Sequence, residues 1–221
     1  ARKIWYDAIV GRLNDEGRGK FLGSFKGDDR ILTLYRNGEY RLSSFDLATH
    51  FDEDMVHIEK WIQDRPISTV YFDAEKELHY VKRFICEVLS DKRVSFISES
   101  TGSYMDIVST AYRPEAKIVY NKLLKETKNL PDNVVNLADL IDIKGMKAQG
   151  NQMTKLKVKE IVLTHPIDES PEPWPDQKPA ESNNDEEVEI LEEDEAGPIP
   201  SMEWDLTKKE EEDNEDQIKL F

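Results

Sequence analysis

A β-hairpin signal near the start of the chain constrains the fold more than any other feature. Asn37-Gly38 lies between two runs, 30–36 and 39–45, that are rich in apolar and β-forming residues. Because Asn and Gly tolerate the positive φ angles of a type I′ turn, this segment predicts two antiparallel strands joined there. Two strands alone cannot bury so much apolar surface, so the hairpin must belong to a larger sheet.

Similar strand units recur along the chain. They open at Ile31, Ile67 and Ile118, and each is a few short strands long. Irregular repeats of this kind are typical of a propeller-like array of blades, and helical periodicity is weak before residue 165. We therefore predict an all-β fold, with a β-sandwich of similar strand spacing as the alternative. The stretch Leu137–Ile143 fits either one helical turn or a strand.

The net negative charge of the chain comes from its C-terminal part. The formal net charge is -16, yet residues 166–221 hold 21 of the 46 acidic residues and 4 of the 30 basic ones. Residues 1–165 are thus nearly neutral and are predicted to form the folded domain. The acidic, proline-containing segment 166–221 is predicted to be a disordered tail. It is either a solubilising appendage or a mimic of DNA that competes for a basic surface.

Several functions are disfavoured by the composition. Cys86 is the only cysteine and is expected to be a buried thiol, which suits a reducing compartment. No apolar run reaches membrane-spanning length, no signal peptide is expected at the start of the sequence, and a start almost directly in a strand is what we expect of a domain cut from a longer polypeptide. The four histidines lack metal-ligand spacing, and the acidic loop Asp52-Glu53-Asp54 is interpreted as solvated. No catalytic constellation is present, and a cytoplasmic, nucleoid-associated location is expected.

Basic residues in loops and at strand ends are candidates for phosphate contacts. Such contacts need donors and positive charge but no particular base edge. Glycines next to Arg18 and Lys147 would let backbone N–H groups approach phosphates closely. The alternative is an ordinary surface of mixed charge. The candidate DNA-binding residues are Arg12, Arg18, Lys20, Lys26, Arg36, Arg41, Lys82, Arg83, Lys92, Arg93, Lys144, Lys147, Lys155 and Lys157.

Several segments together resemble the C-terminal region of the A subunit of bacterial type IIA topoisomerases. The similarity is greatest to topoisomerase IV A subunits of the Bacteroidetes lineage, and it covers roughly residues 2–164. The segments that carry it are Asp7 with Gly11-Arg-Leu-Asn14, Glu16-Gly-Arg-Gly-Lys20, Gly27-Asp-Asp-Arg-Ile-Leu32, Asn37-Gly38, Ile143-Lys-Gly-Met-Lys-Ala-Gln-Gly-Asn-Gln152 and Lys157-Val-Lys-Glu-Ile161.

The resemblance implies a β-pinwheel, an open or incomplete ring of four-stranded blades whose basic rim bends duplex DNA. It implies no catalytic residue and no bound cofactor in this segment, while the holoenzyme would use Mg²⁺ and ATP for strand passage. The implied partners are double-stranded DNA, the topoisomerase B subunit and the N-terminal catalytic core. Glu16–Leu22 matches only part of the gyrase box that drives DNA wrapping, which favours a topoisomerase IV-like role.

The last five residues carry a separate signal. Gln217, Leu220 and Phe221 resemble the pentapeptide with which bacterial proteins bind the replication sliding clamp. A Gln amide with two apolar side chains on a flexible leash suits such a pocket. The alternative function is therefore a propeller-like protein-interaction platform that recruits replication proteins through its acidic tail and this terminal motif.

Overall fold

The computed structural model describes residues 1–88, 91–169, 172, 174 and 175. Short antiparallel strands dominate this part of the chain, as the sequence predicts. In chain order the elements are β1 (Arg2–Asp7), β2 (Arg12–Asn14), β3 (Lys20–Phe25), β4 (Ile31–Tyr35), β5 (Glu39–Ser43), β6 (Met55–Lys60), β7 (Pro66–Asp73), β8 (Leu78–Ile85), β9 (Val94–Ser95), β10 (Tyr104–Ser109), β11 (Glu115–Tyr120), β12 (Asn133–Asn136), α1 (Leu137–Leu140), β13 (Asn151–Gln152) and β14 (Val158–Leu163).

The strands of the described residues form four separate sheets, which we call blades 1 to 4. Their strand orders are β2-β1-β3, β6-β4-β5-β9, β10-β7-β8-β13 and β12-β11-β14. In each blade a central strand pairs with the strand that follows it and with a later strand on its other side. The predicted all-β, pinwheel-type fold is confirmed, and the β-sandwich alternative is excluded.

The repeat that the sequence predicted corresponds to the central strands. Ile31, Ile67 and Ile118 lie in β4, β7 and β11. The strand β1, with Ile4 in its middle, is the equivalent strand of blade 1, and the sequence did not reveal it as a repeat. The hairpin at Asn37-Gly38 is confirmed, but the predicted type I′ turn is wrong. Tyr35 pairs with Glu39 across a three-residue connection, and Gly38 alone in that connection has a positive φ, of 79°.

Blades 2 and 3 each receive a strand from the part of the chain that forms the following blade. The strand β9 lies between β8 and β10 in sequence but pairs with β5, through Tyr40 opposite Val94. Likewise β13 lies between β12 and β14 but pairs with β8 of blade 3. Between β5 and β6, His50 makes a single bridge to Arg12 on β2. Neighbouring blades are therefore joined by backbone hydrogen bonds as well as by side chains.

Three apolar clusters fill the space between successive blades. Phe25 and Ile31 belong to the cluster between blades 1 and 2, and Tyr40 and Phe84 to the one between blades 2 and 3. The third cluster joins blades 3 and 4 around Leu137, the first residue of α1, whose side chain is completely buried. The core thus lies at the blade junctions, because no single short sheet can bury enough apolar surface by itself.

The segment for which the sequence left helix and strand open forms the single turn α1. Asn136 caps it, since its side-chain oxygen accepts a hydrogen bond from Ala138 N at 3.0 Å. Of the helices in the described residues, none has the length and the apolar character to cross a membrane.

The close approach of β13 to β8 predicts a strong effect at Gly150. Its φ is 94°, and a Cβ added there would lie 2.2 Å from the Val81 carbonyl oxygen. We expect Gly150→Ala to lower the free energy of unfolding by about 2 kcal/mol or more, since the donated strand must shift. Urea denaturation measures this effect. Gly145→Ala is the control in the same loop, because its Cβ would meet open space. Equal stability of the two variants would contradict the donated pairing.

Candidate nucleic-acid interface

Two of the predicted DNA-binding residues are buried. Lys82 and Arg83, both on β8, are 5% and 8% exposed. Lys82 Nζ donates to the Phe96 carbonyl oxygen at 2.8 Å, and Arg83 Nε donates to Ser68 Oγ at 3.1 Å. Burial lowers the pKa of Lys82 to about 8 and also lowers the pKa of Arg83. Lys82 therefore ties blade 3 to the chain that follows β9, and neither cation is presented to a ligand.

Arg93 is held by carboxylates of blade 2. Its guanidinium donates to Asp54 at 2.8 and 2.9 Å and to Asp52, and it lies 3.5 Å from the centre of the Tyr35 ring. The hydrogen bonds that Arg93 donates to Asp54 raise the pKa of Arg93 above its ordinary value. The acidic loop that the sequence analysis interpreted as solvated thus anchors the residue that immediately precedes β9. We conclude that Arg93 secures the donated strand.

Lys20 is engaged by a residue from the far end of the folded chain. Its Nζ donates to Asp168 Oδ1 at 2.7 Å and to the Ile58 carbonyl oxygen at 3.1 Å. Asp168 follows β14, and its neighbour Ile167 packs against the cluster between blades 2 and 3. Farther on, Trp174 Nε1 donates to the Thr110 carbonyl oxygen at 3.1 Å. Packed structure therefore extends beyond residue 165, where the sequence analysis placed the start of the tail.

A buried histidine lies at the centre of this contact. His57 is 4% exposed; its Nε2 lies 3.0 Å from Glu59 Oε2 and its Nδ1 lies 3.0 Å from Asp168 Oδ1. Burial alone would lower the pKa of His57, but the carboxylates of Asp168 and Glu59 outweigh it and raise that pKa. Contacts with His57 and then Lys20 lower the pKa of Asp168. Sequence analysis missed this group because its members are far apart along the chain.

The other predicted bases lie at the surface or are half-buried. The Arg18 guanidinium nitrogen Nη2 lies 3.2 Å from Glu16 Oε2. The Nε atom of Arg41 is buried. Whether any of these residues binds DNA stays a prediction. They are Arg12, Arg18, Lys26, Arg36, Arg41, Lys92, Lys144, Lys147, Lys155 and Lys157.

Exposed lysines are concentrated on the loops of blade 4. Residues 116–159 contain nine lysines and four acidic residues. A hydrogen bond of 3.0 Å from Asn121 N to the Lys157 carbonyl oxygen brings the β11–β12 connection beside the segment that leads into β14. We define the fourth-blade lysine cluster as six exposed residues that have no carboxylate partner within the described part of the chain: Lys125, Lys128, Lys144, Lys147, Lys155 and Lys157.

Two members of this cluster were absent from the predicted site. Lys125 and Lys128 lie in the lysine-rich connection between β11 and β12, whose composition is visible in the sequence. The connections between β1 and β2, β4 and β5, and β7 and β8 are only three or four residues long. The unusual length of the β11–β12 connection, together with its lysines, was the signal that could have identified them.

The described residues show no metal centre. Among them, no group of three or more His, Cys, Asp or Glu side chains is arranged to hold a metal ion. The Nδ1 atom of His79 instead lies 2.9 Å from Asp106 Oδ2. Cys86 is buried as expected, and burial raises the pKa of its thiol to about 12. The fourth-blade lysine cluster is instead suited to the binding of anions.

The burial of Lys82 predicts a pH-dependent stability difference. Because its folded pKa of about 8 lies below the unfolded value of about 10.4, the cost of burying the cation is present below pH 8. That cost disappears as the pH rises from 8 to 10.4. We expect Lys82→Met to be more stable than wild type at pH 7, and this advantage to shrink by roughly 1–3 kcal/mol by pH 10. Urea unfolding at both pH values measures it, and a constant difference would contradict the assignment.

The Asp168 contact predicts the opposite pH trend. Because the pKa of Asp168 is lowered in the folded protein, its contribution to stability is present above about pH 4. Because the pKa of His57 is raised, its contribution is present at low pH and is lost as the pH rises through the folded pKa of His57. We expect Asp168→Asn to cost about 1 kcal/mol at pH 6, since Asp168 is half exposed and partly screened, and less at pH 9. Thermal unfolding at both pH values measures the stability of Asp168→Asn. The control is Glu169→Gln, which should leave the stability unchanged. Equal losses for Asp168→Asn at both pH values would exclude the role of His57.

Comparisons with known proteins identify the family of this chain. The model of a family described as the topoisomerase C-terminal domain of Bacteroidota matches residues 12–165. The crystal structure of the C-terminal domain of DNA topoisomerase IV is similar, with 16% sequence identity and a TM-score of 0.44. That match covers 66% of this chain and 51% of the solved chain, about half its length. No curated protein matches the chain. Since the family model spans more than half of the residues, the chain belongs to the topoisomerase C-terminal domain family of Bacteroidota.

Proposed function

We propose that this chain binds and bends duplex DNA as part of a topoisomerase IV-like A subunit. The observation that carries the proposal is the fourth-blade lysine cluster, in a domain of the topoisomerase C-terminal family. Ammonium groups that have no carboxylate partner are free to neutralise phosphates, and phosphate contacts supply most of the affinity for DNA whatever its sequence.

Ion pairing explains how a nearly neutral body would still attract DNA. In blades 1 and 2 several exposed cations are neutralised by carboxylates, such as Arg2 by Asp15 at 2.6 Å and Lys60 by Asp29 at 2.8 Å. In blade 4, Lys117 and Lys122 share Asp132, whereas the six lysines of the fourth-blade cluster have no carboxylate partner in the described residues. Cations without a carboxylate partner therefore recur between residues 125 and 157, which favours phosphate contacts along this part of the chain.

The domain would act by holding DNA rather than by chemistry. Bending a duplex of two to three helical turns costs on the order of 1–6 kcal/mol, which several phosphate contacts would offset. A bent segment would be presented to the catalytic core, which would pass it through a break with the B subunit, Mg²⁺ and ATP. The proposed clamp motif of Gln217, Leu220 and Phe221 lies outside the described residues and remains a separate hypothesis.

The salt dependence of binding tests this proposal. The full chain should bind a duplex of about three turns, with an affinity that falls steeply as salt rises. The double variant Lys147→Gln/Lys155→Gln should bind more weakly at low salt, and its salt slope should be smaller by about 2, because two phosphate contacts are lost. Fluorescence anisotropy over a salt series measures both quantities.

The matched control removes two cations that already have carboxylate partners. Arg2→Gln/Lys60→Gln should leave the affinity and the salt slope nearly unchanged, since these cations are paired within the protein. If the wild-type chain fails to bind duplex DNA even at low salt, the proposal is wrong. In that case the protein-interaction platform becomes the better hypothesis.

A further inference from the structure

The long connection between β11 and β12 is an ordered loop of residues 121–132, which we call the insertion loop. Asn121 Oδ1 accepts a hydrogen bond from Leu123 N at 3.0 Å. Thr127 N donates to the Leu124 carbonyl oxygen at 3.2 Å, and Leu130 N donates to that of Thr127 at 3.2 Å. The Thr127 side chain is buried, and its hydroxyl donates to the Asn121 carbonyl oxygen. Internal hydrogen bonds therefore fix the conformation of this loop.

The insertion loop presents an apolar tip to solvent. Leu123 is 93% exposed and Leu124 is 40% exposed. Because the backbone bonds hold the loop in place, Leu123 does not turn inward to join the nearby core. A single exposed leucine is ordinary on a protein surface. Leu123 is instead almost fully exposed on a loop whose conformation is fixed by internal hydrogen bonds, within the longest hairpin connection of the described blades, and it is therefore available to contact a partner.

The charge around this tip identifies the partner. Lys125 and Lys128 are exposed within the same loop and have no carboxylate partner in the described residues. Lys122, by contrast, forms an ion pair in which its Nζ lies 3.5 Å from Asp132 Oδ1. Lys157 adjoins the base of the loop through the backbone bond to Asn121. Along the sequence, Leu123 lies between lysines, with the exposed carboxylate of Glu126 also in the loop. An aliphatic side chain with basic neighbours is complementary to a polyanion that has an apolar interior. The base stack of duplex DNA is such a partner.

We propose that the insertion loop is a DNA-bending wedge, in which Leu123 inserts between base pairs from the minor groove while Lys125 and Lys128 contact the adjacent phosphates. This inference rests on the proposed function and deepens it. Apolar wedges of this type partly unstack one base step and kink the duplex by roughly 20–90°. Blade 4 would thus both hold the duplex and place its bend at a defined position.

The test measures bending separately from binding. An end-labelled duplex of about three turns reports the bend by energy transfer, and a 2-aminopurine series reports the unstacked step. In the full chain, Leu123→Ala should reduce the bend by roughly 20° or more and abolish the 2-aminopurine signal. Its salt slope should stay as in wild type, because no phosphate contact is lost. Lys125→Gln/Lys128→Gln should instead lower the salt slope by about 2.

Val134→Ala is the matched control, since Val134 is an aliphatic residue of the same blade that is 53% exposed and lies outside the loop. It should bend DNA as wild type does, and thermal unfolding should show that each variant is folded. If wild type binds DNA but Leu123→Ala bends it equally, the wedge is excluded and the proposed function stands. If wild type binds no duplex at low salt, both proposals fail. A loss of self-association in Leu123→Ala, measured by sedimentation without DNA, would assign the tip to a second copy of the chain and exclude the wedge.

Discussion

The pairing of blades 2 and 3 with a strand from the blade that follows is the constraint on which the rest of this fold depends. A blade of three short strands has too little apolar surface to be stable alone, so its core must form against a neighbour. The donated strands β9 and β13 add backbone hydrogen bonds to these junctions. Junctions closed both by apolar clusters and by backbone pairing allow an array of small sheets to fold together, as repeat proteins do.

Charged groups reinforce the same junctions. Lys82 reaches from blade 3 to the chain after β9, and Arg93 ties the start of that strand to the acidic loop of blade 2. Asp168 brings the chain after the last strand back to Lys20 of blade 1. Buried charges contribute little net stability when apolar packing could replace them, but they disfavour any arrangement in which they lose their partners. Of the groups named here, Lys82 is buried whereas Arg93 and Asp168 are partly exposed, so this penalty falls mainly on arrangements that separate Lys82 from the chain after β9.

The sequence predicts the local features of this fold well and the long-range ones poorly. The hairpin around Gly38 and the recurring central strands follow from turn residues and apolar runs. By contrast the pairing of β9 and β13, each two residues long, with strands of the preceding blade leaves no local pattern in the sequence. The burial of Lys82 was missed because β8 is covered on both faces, so its lysine resembles an ordinary outward-facing residue. Asp168 and Lys20 are 148 residues apart, a distance over which no local pattern gives information.

Strand donation also gives the array a direction. Blade 1 donates no strand to another blade among the described residues, whereas β13 completes blade 3 and β9 completes blade 2. Loss of blade 4 would therefore strip the edge of β8 and expose unpaired N–H and C=O groups, which invite pairing with other chains. Loss of blade 1 would leave both donated strands in place. Truncation thus has unequal consequences for backbone pairing at the two ends, since only the loss of blade 4 removes a strand from another blade.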